Sequence, residues 1–381
     1  MKSKRLLFAM EDINHEFIEA AVPKEKKKST VPWVKICAVA ACIALIVAVG
    51  AGMFYEKPQA LPMIELDNIF DGGMSMEAHF AYSADELINS NPWTKENTPD
   101  ELPVYKNTVY NAYDEKVSAA DINAMRKALL DAADKLGIAA NSSDIKKQYY
   151  EPDRLYSLYI EKDNIKIEVN IWFRLNVEIS GENILPKGYK LDNYASYDEI
   201  RKTAEYLKTE YSAFLDMEKP VANIALGAYD VYGRRSFSLE IYDGAGSIDG
   251  QIRSYNFEGV SFWLDDTFGT LRISQSCCEN ETVGVYPIIT ADEAFELLEQ
   301  GEYYTSVYVD FPGVQAVKKV ELVYHTSTLA KTFVPYYRFY IEIEPDGTIT
   351  EDFPEIKSYG TYYVPAVERK YIQEQETELF Q

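Results

Sequence analysis

The chain has 381 residues and a formal net charge of −23 at pH 7, from 61 Asp/Glu against 38 Lys/Arg. Residues 1–35 carry a net +3 and the remainder −26, so repulsion excludes nucleic acid and anionic lipid as partners of the larger part. The chain beyond residue 55 is long enough for one large or two modest cores.

In the leader, Leu6, Met10, Ile13, Phe17 and Ala20 recur at steps of four and three, with Glu11, Asp12, Glu16 and Glu19 on the other faces. That spacing predicts a short amphipathic helix. Such a helix is marginal alone, and its acidic polar face disfavours anionic lipid. A signalling protein docked on Leu6, Met10, Ile13 and Phe17 is therefore expected, and Val22-Pro23 ends the helix.

Ile36 to Tyr55 then carries no charged residue, and as a helix it spans roughly 30 Å, the thickness of a hydrocarbon core. Lys24, Lys26, Lys27, Lys28 and Lys35 precede it, whereas Glu56 and Lys57 come after it. This bias predicts a single-pass membrane protein, with a cytoplasmic leader at 1–35, an anchor at 36–55 and an extracytoplasmic remainder. No A-x-A box occurs within reach beyond it, so the run reads as a retained anchor rather than a cleaved signal. Val39-Ala40-Ala41-Cys42 has the small residues of a lipid-attachment box, but most of the apolar stretch lies after Cys42 instead of before it.

Residues 56–100 are rich in Pro, Gly, Asn and Asp, with Asp71-Gly72-Gly73 and Asn91-Pro92 as breakers, and read as a stalk. Met63-Ile64 and the stretch from His79 to Tyr82 are its candidate docking points. A strand is expected over Leu102 to Tyr105, then a helix from Val117 to Leu136 with Ser118 as N-cap and Gly137 behind it. Alternating strands are expected next, over Leu155 to Glu161, Ile165 to Asn170 and Trp172 to Ile179. Ser196-Tyr197-Asp198-Glu199 makes a capping box that opens a helix to Phe214. Further strands are expected over Ala225 to Tyr232, Phe237 to Tyr242, Ser254 to Leu264 and Thr270 to Gln275. Another capping box, Thr290-Ala291-Asp292-Glu293, opens a helix over Ala291 to Glu299. Strands over Thr305 to Val309, Val317 to His325, Val334 to Ile343 and Tyr362 to Val367 close the chain.

Few helices among many strands predict an α+β fold. The expected form is a single N-terminal transmembrane helix and then a two-lobed domain of antiparallel sheets, each covered by a helix. The lobes, 101–220 and 221–381, would meet at Lys219-Pro220.

In the last third, Tyr286-Pro287-Ile288-Ile289-Thr290, the helix ending at Gly301, Val320-Glu321-Leu322-Val323-Tyr324, Pro335-Tyr336-Tyr337-Arg338-Phe339 and Tyr363-Val364-Pro365-Ala366-Val367 occur in one order. That order resembles the exterior domains of the YycH/YycI family, membrane-anchored modulators of a histidine kinase built from PepSY-like units. The leader, MEDINHEFIEAA and then lysines, Trp33 and an alanine-rich anchor, is similar to single-pass clostridial proteins, some grouped with anti-sigma factors. The His-x3-Cys-x2-Cys zinc motif of those factors is missing here. The two resemblances imply a regulator whose partner is a histidine kinase or a sigma factor.

Catalytic signatures are thin. The chain has three histidines, His15, His79 and His325, and no G-x-S-x-G elbow, S-x-x-K pair, H-E-x-x-H helix or phosphate loop. His325, at a strand end, reads as a partly exposed sheet residue. Cys277 and Cys278 are adjacent and fit no metal spacing. Asp243 to Gly250 and Asp265-Asp266 read as turns rather than calcium loops. No enzyme activity, cofactor or metal is expected, and function falls to binding. Thirty tyrosines supply candidate anchors. Among the adjacent pairs, where neighbours on a strand point to opposite faces, Tyr304, Tyr337 and Tyr363 are the candidates for an exterior partner face. The alternative is an envelope glycan or peptidoglycan binder in which tyrosines stack on sugar rings.

Overall fold

The computed structural model describes residues 60–66, 77–110, 117–230, 232–265, 267, 269–278, 280–327, 330–344 and 353–373. The chain divides into Met1–Ala60 and Leu61–Gln381, and every element below belongs to the second unit. Leu6, Met10, Ile13 and Phe17 and the apolar run 36–55 lie outside the described residues. Among the described residues no helix is long and apolar enough to cross a membrane.

In chain order the strands are β1 (Ala78–Ala81), β2 (Glu101–Lys106), β3 (Lys146–Glu151), β4 (Arg154–Lys162), β5 (Ile165–Asn170), β6 (Arg174–Ser180), β7 (Pro220–Tyr229) and β8 (Arg235–Asp243). They continue with β9 (Val260–Leu264), β10 (Thr270–Ser276), β11 (Glu281–Pro287), β12 (Tyr304–Thr305), β13 (Val317–Tyr324), β14 (Thr332–Phe333), β15 (Pro335–Ile343) and β16 (Lys357–Pro365). The helices are α1 (Ala119–Lys135), α2 (Tyr197–Glu210), the single turn α3 (Ser212–Leu215), α4 (Ile248–Phe257) and α5 (Ala291–Glu299). All pairings between these strands are antiparallel, so the class is α+β.

An eight-stranded sheet has the order β3-β4-β5-β6-β10-β9-β8-β7. One face is apolar at every second residue. There Ile167, Val169, Val177, Ile241, Phe262 and Ile273 meet Met125 and Leu129 of α1 and Ile200, Ala204 and Leu207 of α2. Each such side chain contributes about 1.5–3 kcal/mol when fully buried. Three capping boxes start α1, α2 and α5 where the sequence places them: Ser118 with Asp121, Ser196 with Glu199 and Thr290 with Glu293. The expected boundary at Lys219-Pro220 falls at the first residue of β7, inside this sheet, because strands from either side of residue 220 pair within it.

A second sheet has the order β1-β16-β15-β13, with β12 also paired to β16. It is covered on both faces. Tyr337, Phe339, Tyr362 and Val364 pack beneath Ala291, Ala294 and Leu298 of α5. On the other face Tyr304, Val323, Tyr336 and Tyr363 pack against Ile64, Leu66, Val104 and Tyr286. A three-stranded ribbon, β11-β2-β14, supplies Val104 and Tyr286.

The stretch expected as a stalk is packed wherever it is described. Ile64 pairs in parallel with Ile372, β1 adds to the edge of β16, and Trp93 is buried. Side-chain amides replace a strand ladder here. Asn223 accepts from the Ser90 N–H, Asn91 donates to the Leu322 carbonyl and accepts from Trp93 N–H, and the Tyr242 hydroxyl donates to Ser90 O. A second difference is α4, which occupies part of the expected Ser254 to Leu264 strand. Its Ile248, Ile252 and Tyr255 sit at helical spacing, while Gly250 and the β-favouring Tyr and Phe send the opposite local signal.

Candidate functional site

Two places gather functional side chains. The first is largely buried. Successive residues of a strand face opposite ways, and pairing of β13, β15 and β16 puts Glu321, Arg338 and Tyr363 side by side on one face. Glu321 is 2% exposed. Its carboxylate accepts from Arg338 Nη2 at 2.6 Å, Lys319 Nζ at 2.6 Å, Tyr340 Oη at 3.2 Å and Asn89 Nδ2. Burial opposes its charge, but Arg338 and Lys319 outweigh that and hold its pKa at about 2.

Glu77, just before β1, lies against the same face. It accepts from the Tyr363 hydroxyl and from Thr361 Oγ1 at 3.2 Å, with His325 Nε2 at 3.6 Å. Burial raises its pKa, and the bonds from His325 and Tyr363 outweigh burial to bring it down to about 2. His79, on β1, stacks obliquely on Tyr340 with centroids 5.2 Å apart. Burial, then the nearby Arg338 cation, lower its pKa to about 4.

This arrangement corrects the expected partner face. Tyr304, Tyr337 and Tyr363 are 5%, 0% and 2% exposed. The Tyr337 hydroxyl donates to Ile289 O at 2.7 Å, and Tyr363 holds Glu77. An alternation between inner and outer tyrosines requires a sheet wet on one side, whereas this one is dry on both. His325 is a largely covered strand-end residue, its ring edge-on to Tyr363 at 5.6 Å.

The second place is open. On the face of the eight-stranded sheet away from α1 and α2, a cleft of about 200 Å³ is lined by Trp172, Arg174, Glu240, Tyr255, Ser261 and Cys278, among others. The β5–β6 hairpin sets its rim. Phe173 takes φ +53, a left-handed conformation that bulky residues avoid. Asn170 Oδ1 accepts from both Trp172 N–H and Arg174 N–H at 3.1 Å, and Cys277 N–H donates to Phe173 O at 2.7 Å. Arg174 Nε donates to Ser274 Oγ at 2.9 Å, and Ser261 Oγ donates to Glu240 Oε1 at 3.0 Å. The cleft has no histidine among its described lining.

Cys277 and Cys278 are both thiols. Cys277 has its thiol pushed up to about 11 by burial, and Cys278 Sγ stands 2.9 Å from Thr108 Oγ1. Among the described residues no three His, Cys, Asp or Glu side chains gather as metal ligands. Of the stretch Asp243 to Gly250 that the sequence reads as a turn, Asp243 is the last residue of β8 and Ile248 to Gly250 open α4; Asp243 accepts from the N–H groups of Glu218, Lys219 and Ala245. Asp265 likewise accepts from Gly269 and Thr270 N–H.

Sequence reasoning missed Arg174, Glu240, Glu321 and Glu77. For Glu321 and Arg338 a signal exists: each is a lone charge inside an apolar strand, Val320-Glu321-Leu322 and Tyr337-Arg338-Phe339. The cleft pair has none, because its members come from strands 66 residues apart that meet only through β9 and β10. No protein-family model matches the chain, and no curated protein matches it in sequence.

Proposed function

We propose that the chain is a non-enzymatic, single-pass membrane regulator. In this reading residues 36–55 anchor it, the α+β unit lies outside the membrane and binds a protein or envelope component, and the leader docks a histidine kinase or sigma factor through Leu6, Met10, Ile13 and Phe17. The resemblance to YycH/YycI exterior domains and to anti-sigma-like leaders belongs to this reading. So does the lysine-flanked apolar run, which puts the acidic unit on the far side from the lysines.

The observation that carries the proposal is the separation of chemistry from access. Glu321 is buried among its cations, and Glu77, its side chain 35% exposed, is bonded to the Tyr363 hydroxyl and faces His325. The open cleft offers an arginine, a glutamate bonded to the Ser261 hydroxyl and aromatic walls, with no histidine among its described lining. Such a set is suited to recognising a ligand.

Photocrosslinking in the native membrane tests both halves, with probes at Phe17 and at Trp172. Capture of a kinase or sigma factor through Phe17 is expected. Recovery of nothing specific through Phe17, with no change on Phe17→Asp, removes the docking leader. A second reading, an envelope glycan binder, is favoured by Trp263. It is 40% exposed and stands opposite Arg272 on the open sheet face, where an indole meets sugar rings well.

A further inference from the structure

We propose that the cleft is a receptor site for a zwitterionic ligand of dipeptide length, held by its carboxylate on Arg174 and by its ammonium on Glu240. The proposal rests on reading the exterior unit as a binding module, and it names the ligand class of that module.

The charge pattern is the first argument. In a chain where acids outnumber bases by 61 to 38, most described arginines pair with a carboxylate. Arg174 nevertheless forms no ion pair among the described residues, and neither does Glu240. Each is held in place by a serine hydroxyl instead, through Arg174 Nε and Glu240 Oε1. The two terminal nitrogens of the guanidinium and Glu240 Oε2 remain for a ligand. A neutral sugar would desolvate both charges and neutralise neither. A simple anion or a metal ion would satisfy one and oppose the other.

The spacing is the second. Ser276 stands opposite Arg174, while Glu240 stands opposite Ser261, which pairs with Ser274. By reaching Ser274 the guanidinium leans one strand toward Glu240. The two charges therefore flank the Ser274–Ser261 pair, whose side chains start about 5 Å apart. A single α-amino acid carries its charges closer together than that, whereas two extended residues span roughly 7 Å. The cleft holds about 200 Å³, room for a ligand of this size.

The third argument is strain. Phe173 is forced to φ +53 directly between Trp172 and Arg174, both of which line the cleft. Backbone strain that the surroundings hold in place is concentrated where side chains must be aimed. Here it turns a charge and a flat aromatic wall toward the same space.

The test is equilibrium dialysis of the full chain in detergent micelles against three probes: L-alanyl-L-alanine, its N-acetylated and C-amidated form, and chitobiose. Free dialanine is expected to bind and the blocked form to fail. Arg174→Gln and Glu240→Gln should each weaken binding at least tenfold, with Arg174→Lys intermediate. Gly259→Leu should abolish binding while removing neither charge, since a Cβ at Gly259 already stands 3.6 Å from Glu240 Oε2 and a longer side chain would fill the space beside it. Thermal unfolding of each variant checks that it folds. No dialanine binding, equal binding of the blocked peptide, or undiminished binding by Arg174→Gln overturns the proposal. Chitobiose binding that Gly259→Leu removes and Arg174→Gln leaves intact overturns the ligand class but keeps the binding module. Loss of all three probes together with no capture through Trp172 removes both.

Discussion

Glu321 shows why a buried carboxylate constrains a fold more than it stabilises it. Two cations within 2.6 Å and the neighbouring Asn89 and Tyr340 saturate its oxygens, so the charge is compensated, but its removal strands Arg338 in a closed interior. Glu321→Gln is accordingly expected to lower the unfolding free energy by about 3–5 kcal/mol, and the double change Glu321→Gln with Arg338→Met to recover part of it. Urea titration of the full chain measures both. His79, in the same region, sets a pH window. Its folded pKa of about 4 lies below the ordinary histidine value of 6.5, so the unfolded chain binds the extra proton first. Stability is therefore complete above pH 6.5 and falls as the pH drops toward 4, by on the order of 2–3 kcal/mol. Glu77 and Glu321 act in a lower window. Their pKa values of about 2, against 4.5 for the free group, give stability that is present above 4.5 and lost between 4.5 and 2. Urea midpoints at pH 7, 5.5 and 4.5 should fall in the parent and stay flatter in His79→Asn; parallel curves would exclude His79 as the cause.

Elements are legible wherever local chemistry repeats itself. The three capping boxes and the alternating strands β4, β5 and β10 form where their sequence places them, because a Ser/Thr with an acid three residues later satisfies N–H groups whatever the tertiary setting. Three features are hidden by tertiary context. The β15 and β16 strands, PYYRFYIEI and KSYGTYYVP, are apolar almost continuously, which is the pattern of strands covered on both faces; a one-sided reading puts Tyr337 and Tyr363 outside. In α4, β propensity in Tyr and Phe masks the helical spacing. The stretch 77–100 resembles a stalk locally because its hydrogen bonds come from distant partners such as Asn223 and Leu322, which no local pattern reports. That docking has a sharp requirement at Gly227. There φ is +88, and an added Cβ would stand 2.7 Å from Leu87 Cδ2 and 2.9 Å from Glu86 O. Gly227→Ala should cost about 1–3 kcal/mol and open residues 84–88 to limited proteolysis, whereas Gly246→Ala, with nothing within 4 Å, should suffer only from its left-handed φ and leave that segment protected.

At the scale of the molecule, the cleft and the ion cluster share one side chain. Tyr255 on α4 lines the cleft, and burial and then the charges of Glu321 and Arg338 perturb its phenol, with Asn223 bonded beside it. Asn223 in turn holds Ser90, and the ion cluster grips Asn89 and Lys319, whose Nζ also reaches Leu87 O at 2.8 Å. Occupation of the cleft is therefore expected to bear on the segment that leads from β1 toward residue 100, through Tyr255, Asn223 and Ser90. A ligand alters a distant segment only as far as it binds two arrangements differently, and Tyr255 is the group positioned to tell them apart. Hydrogen exchange of the full chain in micelles should show amides of 77–91 slowing when dialanine binds. Tyr255→Phe, which keeps the ring and removes the hydroxyl, should leave dialanine affinity within about threefold while abolishing that protection. Protection that persists in Tyr255→Phe would show that the segment responds to the fold as a whole rather than through this contact. On the reading proposed above, residues 77–91 are the segment in which occupancy of the cleft becomes a change in the chain.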